Sequence, residues 1–192
     1  MSKLYYRYSP MNAGKSTALL QVAYNYKERG QRSIIAKPSV DTKSPEVLSR
    51  LNISAKVDWS VNPEHHLIKD FLDKETEKVD CILVDEAQFL EPSQIEQLFF
   101  IAVMRNIPVL AYGIRSDFQT KAFPGSARLF ELAHSIEEMK TICRCGAKAM
   151  FNGRKINGEF VSEGEQVAID GQQASYESLC GKCFINLVGW NQ

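Results

Sequence analysis

The sequence predicts an α/β protein with a parallel central sheet, followed by a smaller β-rich unit that binds a metal. Two observations carry this prediction. Up to about residue 141, short apolar runs alternate with amphipathic stretches of helix length, which is typical of βαβ units. Beyond residue 142, two close cysteine pairs and two Asn-Gly turn signals follow. We therefore expect an α/β domain over residues 1–141 and a metal-binding domain over residues 142–192.

The first predicted elements flank a polar turn. Residues 4–8 read as a strand, and residues 15–29 as a helix because apolar positions recur at helical spacing and Gly30 follows as a stop. Residues 33–37 form the next apolar run. The stretch 39–63 is polar and proline-punctuated, so we expect a long functional loop there.

The later elements repeat the alternation. Residues 64–74 have helical spacing, and residues 81–84 form a short run of β-forming residues that ends in two acids. Pro92 suits the first turn of a helix that reaches about residue 104, and residues 109–112 follow as a strand. The sequence thus predicts strands alternating with helices up to the cysteine-rich part.

Composition limits the classes of function. Of 192 residues, 23 are Lys or Arg and 23 are Asp or Glu. The net charge is therefore zero and does not attract nucleic acid or an anionic membrane. The longest apolar run, residues 98–104, is far shorter than the roughly 20 residues of a spanning helix. The first residues lack the apolar core of a signal peptide. We expect a cytoplasmic protein with no membrane partner and no nucleic-acid partner.

A phosphate-binding loop is predicted between the first strand and the first helix. The stretch matches the pattern G-x-x-x-x-G-K-[ST] except that Ser replaces the first Gly. Backbone N–H groups and a helix N-terminus would meet there around phosphate oxygens, with Lys15 on the β- and γ-phosphates and Ser16 on Mg²⁺. The alternative is an ordinary polar turn. The predicted ATP contacts are Ser9, Pro10, Met11, Asn12, Ala13, Gly14, Lys15 and Ser16.

A second acidic motif follows the strand at residues 81–84. Four apolar residues and then Asp85-Glu86 form the layout of a Walker B motif. We expect this strand to adjoin the one that leads into the phosphate loop, so that Asp85 holds Mg²⁺ and Glu86 deprotonates a nucleophile. Alternatively, both acids are solvated turn residues.

Two cysteine pairs predict a structural zinc site. Cys143-x-Cys145 and Cys180-x-x-Cys183 supply four thiolates, the ligand count of a closed site that supports structure and leaves no position open for catalysis. The alternative is four free thiols. Cys81 stands apart in an apolar run and reads as a small buried hydrophobic residue.

Aromatic and histidine side chains give weaker signals. Phe118, Phe123 and Tyr176 lie in predicted loops, where they either stack on a base or close the edge of the core. His65, His66 and His134 lie near predicted helix ends, where capping or solvation is the ordinary role. We assign the histidines no chemistry.

Together these residues resemble one family. The segments SPMNAGKST (from Ser9), DEAQF (from Asp85) and YGIRSDF (from Tyr112) and the cysteine pairs around a loop that ends in SYESLC are similar to thymidine kinases of the type II, zinc-containing kind, particularly those of enteric-type bacteria. The resemblance implies a RecA-like P-loop domain with a small zinc domain. It also implies ATP-dependent phosphorylation of the 5′-hydroxyl of thymidine, with deoxyuridine also accepted, as a salvage route to dTMP for DNA synthesis.

The resemblance also implies roles for particular residues. Glu86 is the expected base, Asp85 and Gln88 join the phosphate loop in holding the nucleotide and its metal, and Asp41 lies near the phosphates. A loop over the nucleoside is expected in the zinc domain. The expected nucleoside contacts are Phe89, Phe118, Val167, Ala168, Ile169 and Tyr176. Ser9, Lys43 and Asp170 depart from the family's usual residues. A homotetramer and feedback inhibition by thymidine triphosphate are further expectations.

One alternative function belongs to a different class. Asp-Glu-Ala-Gln is also the Walker B sequence of helicase-like proteins, and zinc ribbons often touch nucleic acid. A nucleic-acid-dependent P-loop ATPase would use Glu86 to activate water. The balanced charge and the lack of room for a second motor domain count against it.

Overall fold

A six-stranded parallel sheet forms the centre of the computed structural model, which describes residues 1–40, 46–48, 54–167 and 174–189. The strands are β1 (Leu4–Tyr8), β2 (Ser33–Pro38), β3 (Glu46–Leu48), β4 (Ser54–Lys56), β5 (Trp59–Val61), β6 (Cys81–Val84), β7 (Val109–Gly113), β8 (Ser135–Glu138), β9 (Thr141–Ile142), β10 (Lys148–Ala149), β11 (Phe151–Ile156), β12 (Glu159–Val161) and β13 (Ala174–Leu179). The α-helices are α1 (Lys15–Glu28), α2 (Pro92–Met104), α3 (Pro124–Leu132) and α4 (Gly181–Leu187).

The strand order of the central sheet is β5-β2-β6-β7-β1-β8, and all neighbours are parallel. β1 leads into the phosphate loop and β6 ends before Asp85, and β7 lies between them. The expectation that these two strands adjoin was therefore wrong. Their carboxyl ends still meet at the same edge of the sheet, where open α/β sheets bind ligands, and the arrangement agrees with the predicted RecA-like fold.

Both faces of this sheet are covered by apolar side chains. Every residue of β6 is buried, as expected for a parallel strand with helices on both sides. Alternate residues enter different cores: Leu83 packs with Leu19 of α1, whereas Ile82 packs in the core that contains Leu98 of α2. Packing on both faces therefore fixes the positions of the strands, including the carboxyl ends at which the predicted motifs lie.

Several predicted elements are confirmed. β1 and β6 have the predicted bounds, and α1, β2, α2 and β7 agree with their predictions to within a residue. α1 is followed by Gly30 at φ 67°. α2 starts with Pro92 in its first turn and a capping box between Glu91 and Gln94. His66 has the capping role expected of it, because its side chain accepts a hydrogen bond from the Lys69 N–H at the start of the turn at residues 67–71. His134 instead accepts a hydrogen bond from the Leu4 N–H at 3.0 Å.

Two stretches differ from their predictions. Within 39–63, where a loop was expected, β3 pairs with β4, and β5 is an edge strand of the central sheet with Trp59 and Val61 buried. Three-residue strands are too short to show a period.

Residues 64–74 form a π-helical turn, Leu67–Phe71, and a 3₁₀ turn, Leu72–Lys74, rather than an α-helix. There the Asp70 carboxylate accepts a hydrogen bond from the His66 N–H at 2.7 Å. A helix end was expected near His134, where α3 ends at Leu132, but no bounds were predicted for α3, and β8 was not predicted.

A smaller sheet lies in the cysteine-rich part, with the antiparallel order β12-β11-β13, and β9 pairs with β10 nearby. Its core is distinct from the two cores of the central sheet and consists of five buried residues: Cys143, Ala149, Leu179, Cys180 and Phe184. Across the described residues, no helix combines the length and apolar character needed to cross a bilayer.

Candidate active site

The phosphate loop connects β1 to α1 as the sequence predicts. Asn12 (φ 65°) and Gly14 (φ 77°) take left-handed conformations, whereas Ser9 does not, so the serine that replaces the usual glycine fits without backbone strain. Ser9 is buried, and its N–H donates to the Gly113 carbonyl at 3.2 Å. This bond ties the start of the loop to the end of β7.

Lys15 turns back into this loop. It is only 7% exposed, and its Nζ donates to Ser9 Oγ at 3.0 Å and to the Pro10 carbonyl at 3.1 Å. A buried ammonium group therefore sits among backbone groups at the N-terminus of α1. This combination of charge and helix dipole favours an anion such as a phosphate chain.

Asp85 lies across from this loop and is 3% exposed. Its Oδ2 accepts a hydrogen bond from Ser16 Oγ at 3.3 Å, whereas its buried Oδ1 has no hydrogen-bond partner among the described residues. Burial, together with the adjacent charge of Glu86, raises the pKa of Asp85 to about 7, although Lys37 and Lys15 oppose the rise. A buried carboxylate oxygen without a partner, beside a hydroxyl, is a donor set that fits Mg²⁺.

Glu86 occupies a strained position at the same edge of the sheet. Its φ of 51° places a non-glycine residue in the left-handed region, which costs about 1–3 kcal/mol and is found mostly at functional sites. The buried Gln88 side chain donates from Nε2 to Glu86 Oε2 and accepts from the Ile114 N–H at 3.2 Å. Gln88 thereby fixes the Glu86 carboxylate relative to the end of β7. The ATP contact expected of Gln88 stays a prediction.

Close packing supports this arrangement at Gly113. A Cβ at this position would lie 2.8 Å from Gln88 Oε1 and 3.2 Å from the Gln88 nitrogen. Because those atoms belong to the segment that carries Glu86, a larger residue at position 113 would push the carboxylate away. Glycine therefore lets β7 and the acidic segment approach each other.

Aromatic rings lie beyond the acidic segment. The rings of Phe89 and Phe123 meet edge to face with centroids 5.4 Å apart, and Phe118 is 1% exposed. The Arg154 guanidinium lies 3.8 Å from the centroid of the Phe118 ring. Two aromatics from predicted loops, Phe118 and Phe123, are thus buried, and Phe89 is half-buried. The loop predicted at Tyr176 is wrong, because this residue lies in β13.

Sequence reasoning missed Arg154, which is 4% exposed. Its Nε donates to the Tyr176 hydroxyl at 2.9 Å, and its two terminal nitrogens donate to the carbonyls of Glu165 at 2.6 Å and Gln166 at 2.8 Å. It therefore holds the segment that leads to Val167. An arginine in an ordinary strand gives no local signal.

The turn predicted at Asn152-Gly153 is wrong, because both residues lie within β11. Asn152 and Ser178 contact the phosphate loop, and neither was predicted to do so.

Several predicted positions fall outside the described residues. Val167 is described and 44% exposed, but Ala168 and Ile169 are not described, and neither are Asp41, Lys43 and Asp170. Their predicted roles stay predictions.

The two cysteine pairs come together in space. The sulfurs of Cys143, Cys145, Cys180 and Cys183 all lie within 4.8 Å of one another. The cluster could hold zinc, because four sulfurs are the ligand set of structural zinc sites. Burial opposes ionisation of Cys143, but backbone hydrogen bonds in the cluster outweigh it and lower the pKa of this thiol to about 7. Cys81 lies apart, fully buried as expected, and burial raises its pKa to about 11.

Comparison with known proteins gives consistent matches. A family model described as thymidine kinase matches residues 2–184. Three similar curated proteins are each named thymidine kinase. The protein of Colwellia psychrerythraea is 47% identical and covers 98% of this chain and 99% of its own length. That of Legionella pneumophila strain Paris is 45% identical (94% and 88%), and that of Ruegeria pomeroyi is 44% identical (98% and 96%).

Proposed function

The chain belongs to the thymidine kinase family, and from that premise we propose that it transfers the γ-phosphate of ATP to the 5′-hydroxyl of thymidine. Deoxyuridine is the second proposed acceptor. The observation that carries the proposal is the meeting of the phosphate loop with Asp85 and Glu86 at one edge of the sheet, with Ser16 Oγ 3.3 Å from Asp85 Oδ2. A kinase needs this juxtaposition because the acceptor hydroxyl must lie in line with the γ-phosphate and its leaving oxygen, with the base close enough to take the hydroxyl proton.

The phosphate loop is the proposed ATP site. Residues 9–16 supply backbone N–H groups and the N-terminus of α1, and Lys15 supplies positive charge for the β- and γ-phosphates. Ser16 and Asp85 would hold Mg²⁺, which neutralises charge on the phosphates when bound. The unpartnered Asp85 Oδ1 supports this assignment.

Glu86 is the proposed general base. A carboxylate at this edge can accept the proton of the 5′-hydroxyl as that oxygen attacks the γ-phosphate. The hydrogen bond from Gln88 orients the carboxylate, and the strained backbone of Glu86 indicates that the surrounding structure imposes its position.

The nucleoside is proposed to bind between the aromatic rings and the zinc-bearing part. Phe89 and Phe118 wall the base, and Val167, Ala168, Ile169 and Tyr176 contact thymine, chiefly through backbone atoms of the loop. The contacts of Arg154 support this placement. Its guanidinium packs on the Phe118 ring and donates a hydrogen bond to the Tyr176 hydroxyl, so one side chain contacts both aromatic residues.

Structural zinc on the four cysteines is proposed to stabilise this second part of the site. Their mutual proximity supports it. We further propose a division into domains at residues 141 and 142, supported by the separate core of the smaller sheet. The family resemblance alone supports a homotetramer that is inhibited by thymidine triphosphate. The balanced charge and the short apolar runs support a cytoplasmic protein with no nucleic-acid or membrane partner.

A nucleoside panel tests the proposed function. The protein is given ATP, Mg²⁺ and, in parallel, thymidine, deoxyuridine, deoxycytidine or deoxyguanosine, and the nucleoside monophosphates are separated and quantified. We expect thymidine to react best, deoxyuridine next and the other two hardly at all. Equal rates with all four, or a preference for deoxycytidine or deoxyguanosine, would overturn the proposal.

A further inference from the structure

One peptide group at the end of β7 touches both motifs of the candidate site. In the central sheet, β7 lies between β6 and β1. The Gly113 carbonyl accepts a hydrogen bond from the Ser9 N–H at 3.2 Å. The Ile114 N–H, which belongs to the same peptide group, donates to Gln88 Oε1 at 3.2 Å. Because the C=O and N–H of a trans peptide point in opposite directions, this group binds the phosphate loop on one side and the acidic segment on the other.

The Gln88 side chain carries this contact on to Glu86. Its Oε1 accepts from the Ile114 N–H, and its Nε2 donates to Glu86 Oε2. Both polar atoms of the amide therefore have partners within the protein, and the residue is only 2% exposed. A planar amide that is bound at both ends fixes the distance between the peptide group and the Glu86 carboxylate.

Buried hydroxyl groups hold the other polar backbone group of Ile114. Ser126 Oγ, in the first turn of α3, donates to the Ile114 carbonyl at 2.6 Å, and the Tyr6 hydroxyl donates to the same oxygen at 3.2 Å. Both Ser126 and Tyr6 are 0% exposed. Ser126 therefore restrains Ile114, and with it the N–H that binds Gln88.

The first turn of α3 also packs on the backbone of the acidic segment. A Cβ at Gly125 would lie 2.5 Å from the Leu90 carbonyl oxygen and 2.8 Å from that of Gln88. Only glycine permits such a close approach of two backbone segments. The segment that carries Glu86 is therefore held from two directions, by the end of β7 and by α3.

We propose that the peptide group joining Gly113 to Ile114 is the common reference for the ATP site and the general base, and that Gln88 and Ser126 are positioning residues for Glu86. Gln88 acts directly on the carboxylate, and Ser126 acts through Ile114 and Gln88. This inference rests on the proposed function, and it assigns Gln88 to the base instead of to ATP. Transfer requires a shared reference because the reacting atoms must lie about 3–3.5 Å apart and in line.

Gln88→Met tests the link to the base. Methionine is similar in length but loses both hydrogen bonds, and a hydrogen bond to a charged group corresponds to about 10–100-fold. We expect kcat to fall by that factor while the KM for ATP and the equilibrium binding of a non-hydrolysable ATP analogue stay unchanged. In a Glu86→Gln background, the same change should lower kcat no further, since no carboxylate is left to orient. Weaker analogue binding with kcat retained at saturating ATP would show that Gln88 holds ATP and would overturn the proposal.

Ser126→Ala tests the more distant contact. Loss of one neutral hydrogen bond should lower kcat by about 3–10-fold, again with ATP binding unchanged. In the double variant with Gln88→Met, the two losses should not multiply, because Ser126 acts through Gln88. Ser93→Ala is the matched control and should leave kcat unchanged, because Ser93 also lies in the first turn of an α-helix that starts with proline but is exposed.

The remaining outcomes separate this inference from the proposed function. Thermal unfolding of each variant shows which of them fold. If Gln88→Met does not, Ser126→Ala and its control carry the test, because that change removes a single oxygen atom. Full kcat in Ser126→Ala, or losses that multiply in the double variant, would overturn the inference. An unmodified protein that phosphorylates no nucleoside refutes the proposed function as well, whereas an active protein whose Gln88→Met variant keeps its full kcat refutes this inference alone.

Discussion

The two halves of the candidate site stand on sheets that are stabilised in different ways. The central sheet is covered on both faces, and side chains such as Leu83 and Ile82 are completely buried. The smaller sheet has a five-residue core in which Cys143 and Cys180 are members of the cysteine cluster. The central sheet therefore has the larger hydrophobic cores, whereas the smaller sheet combines a small core with the cysteine cluster and polar contacts.

Under the proposed function, this difference would separate phosphoryl transfer from nucleoside binding. Lys15, Asp85 and Glu86 belong to the well-buried central half, where positions are rigid enough for phosphoryl transfer. Arg154 and Tyr176 belong to the other half, whose Asn152 and Ser178 also contact the phosphate loop. Each prediction below perturbs one half and asks whether the other responds, beginning with the largest expected effect.

Glu86→Gln should have the largest effect. Loss of a general base lowers kcat by about 10²–10⁴-fold, while ATP binding should stay close to that of the unmodified protein because the phosphate loop is unchanged. Steady-state turnover and ATP titration measure the two quantities. Unchanged turnover would remove Glu86 from its proposed role.

A matched pair of leucines compares the two sheets directly. Leu83 in β6 and Leu179 in β13 are both 0% exposed. Leu83→Ala should reduce the global free energy of unfolding by about 2–5 kcal/mol, the cost of a cavity in a packed core. Leu179→Ala should instead open the smaller sheet locally, so that amide hydrogens of β11 exchange faster while those of β6 and β7 keep their protection. Equal loss of protection in both sheets would contradict the distinction.

Metal removal should act on the smaller sheet alone. With a zinc chelator, we expect proteolytic cleavage between residues 143 and 183 to become at least about tenfold faster, since metal binding contributes to local folding, while α1 stays resistant. Mass spectrometry of the fragments locates the cuts. Cys183→Ser is the control and should show no further response to chelator. Identical cleavage with and without chelator in the unmodified protein would refute the dependence.

Glu177→Gln should have the smallest effect. Glu177 forms ion pairs with Arg144 and with Lys155, at 2.7 Å for the latter, and the hydrogen bond from Arg144 helps to lower its pKa to about 2. Pairs this close to the surface contribute about 1 kcal/mol or less. Hydrogen exchange of β13 at neutral pH measures the change. An effect larger than that of Leu179→Ala would show that charge, and not the core, holds this sheet.

The sequence predicted elements that carry a local pattern better than elements that carry none. β6, α2 and the phosphate loop have local patterns: an apolar run that ends in acids, a capping proline, and glycine before Lys15. β5 is too short to show a period, and the turns within residues 64–74 make distant contacts such as that of the Leu67 N–H with Gln97 Oε1 at 2.6 Å. These features depend on neighbours that no local window contains.

The same reasoning applies to the site. Asp85 and Glu86 follow a buried strand and can be recognised from their position alone. Asn152 and Met11 are 141 positions apart in the chain, and Arg154 meets Tyr176 across 22 positions. Only the register of β11 with β13 brings these residues to the loops they hold, so the positioning contacts become visible only in the folded structure.

The most direct test of the central claim is the coupling between ADP release and nucleoside phosphorylation. With ATP labelled in its γ-phosphate, ADP release should be slow alone and accelerate when thymidine is added, with one labelled thymidine monophosphate formed for each ADP. If ADP release is instead accelerated by single-stranded DNA, or proceeds with no label on the nucleoside, then the edge that carries Lys15, Asp85 and Glu86 activates water and the claim is contradicted.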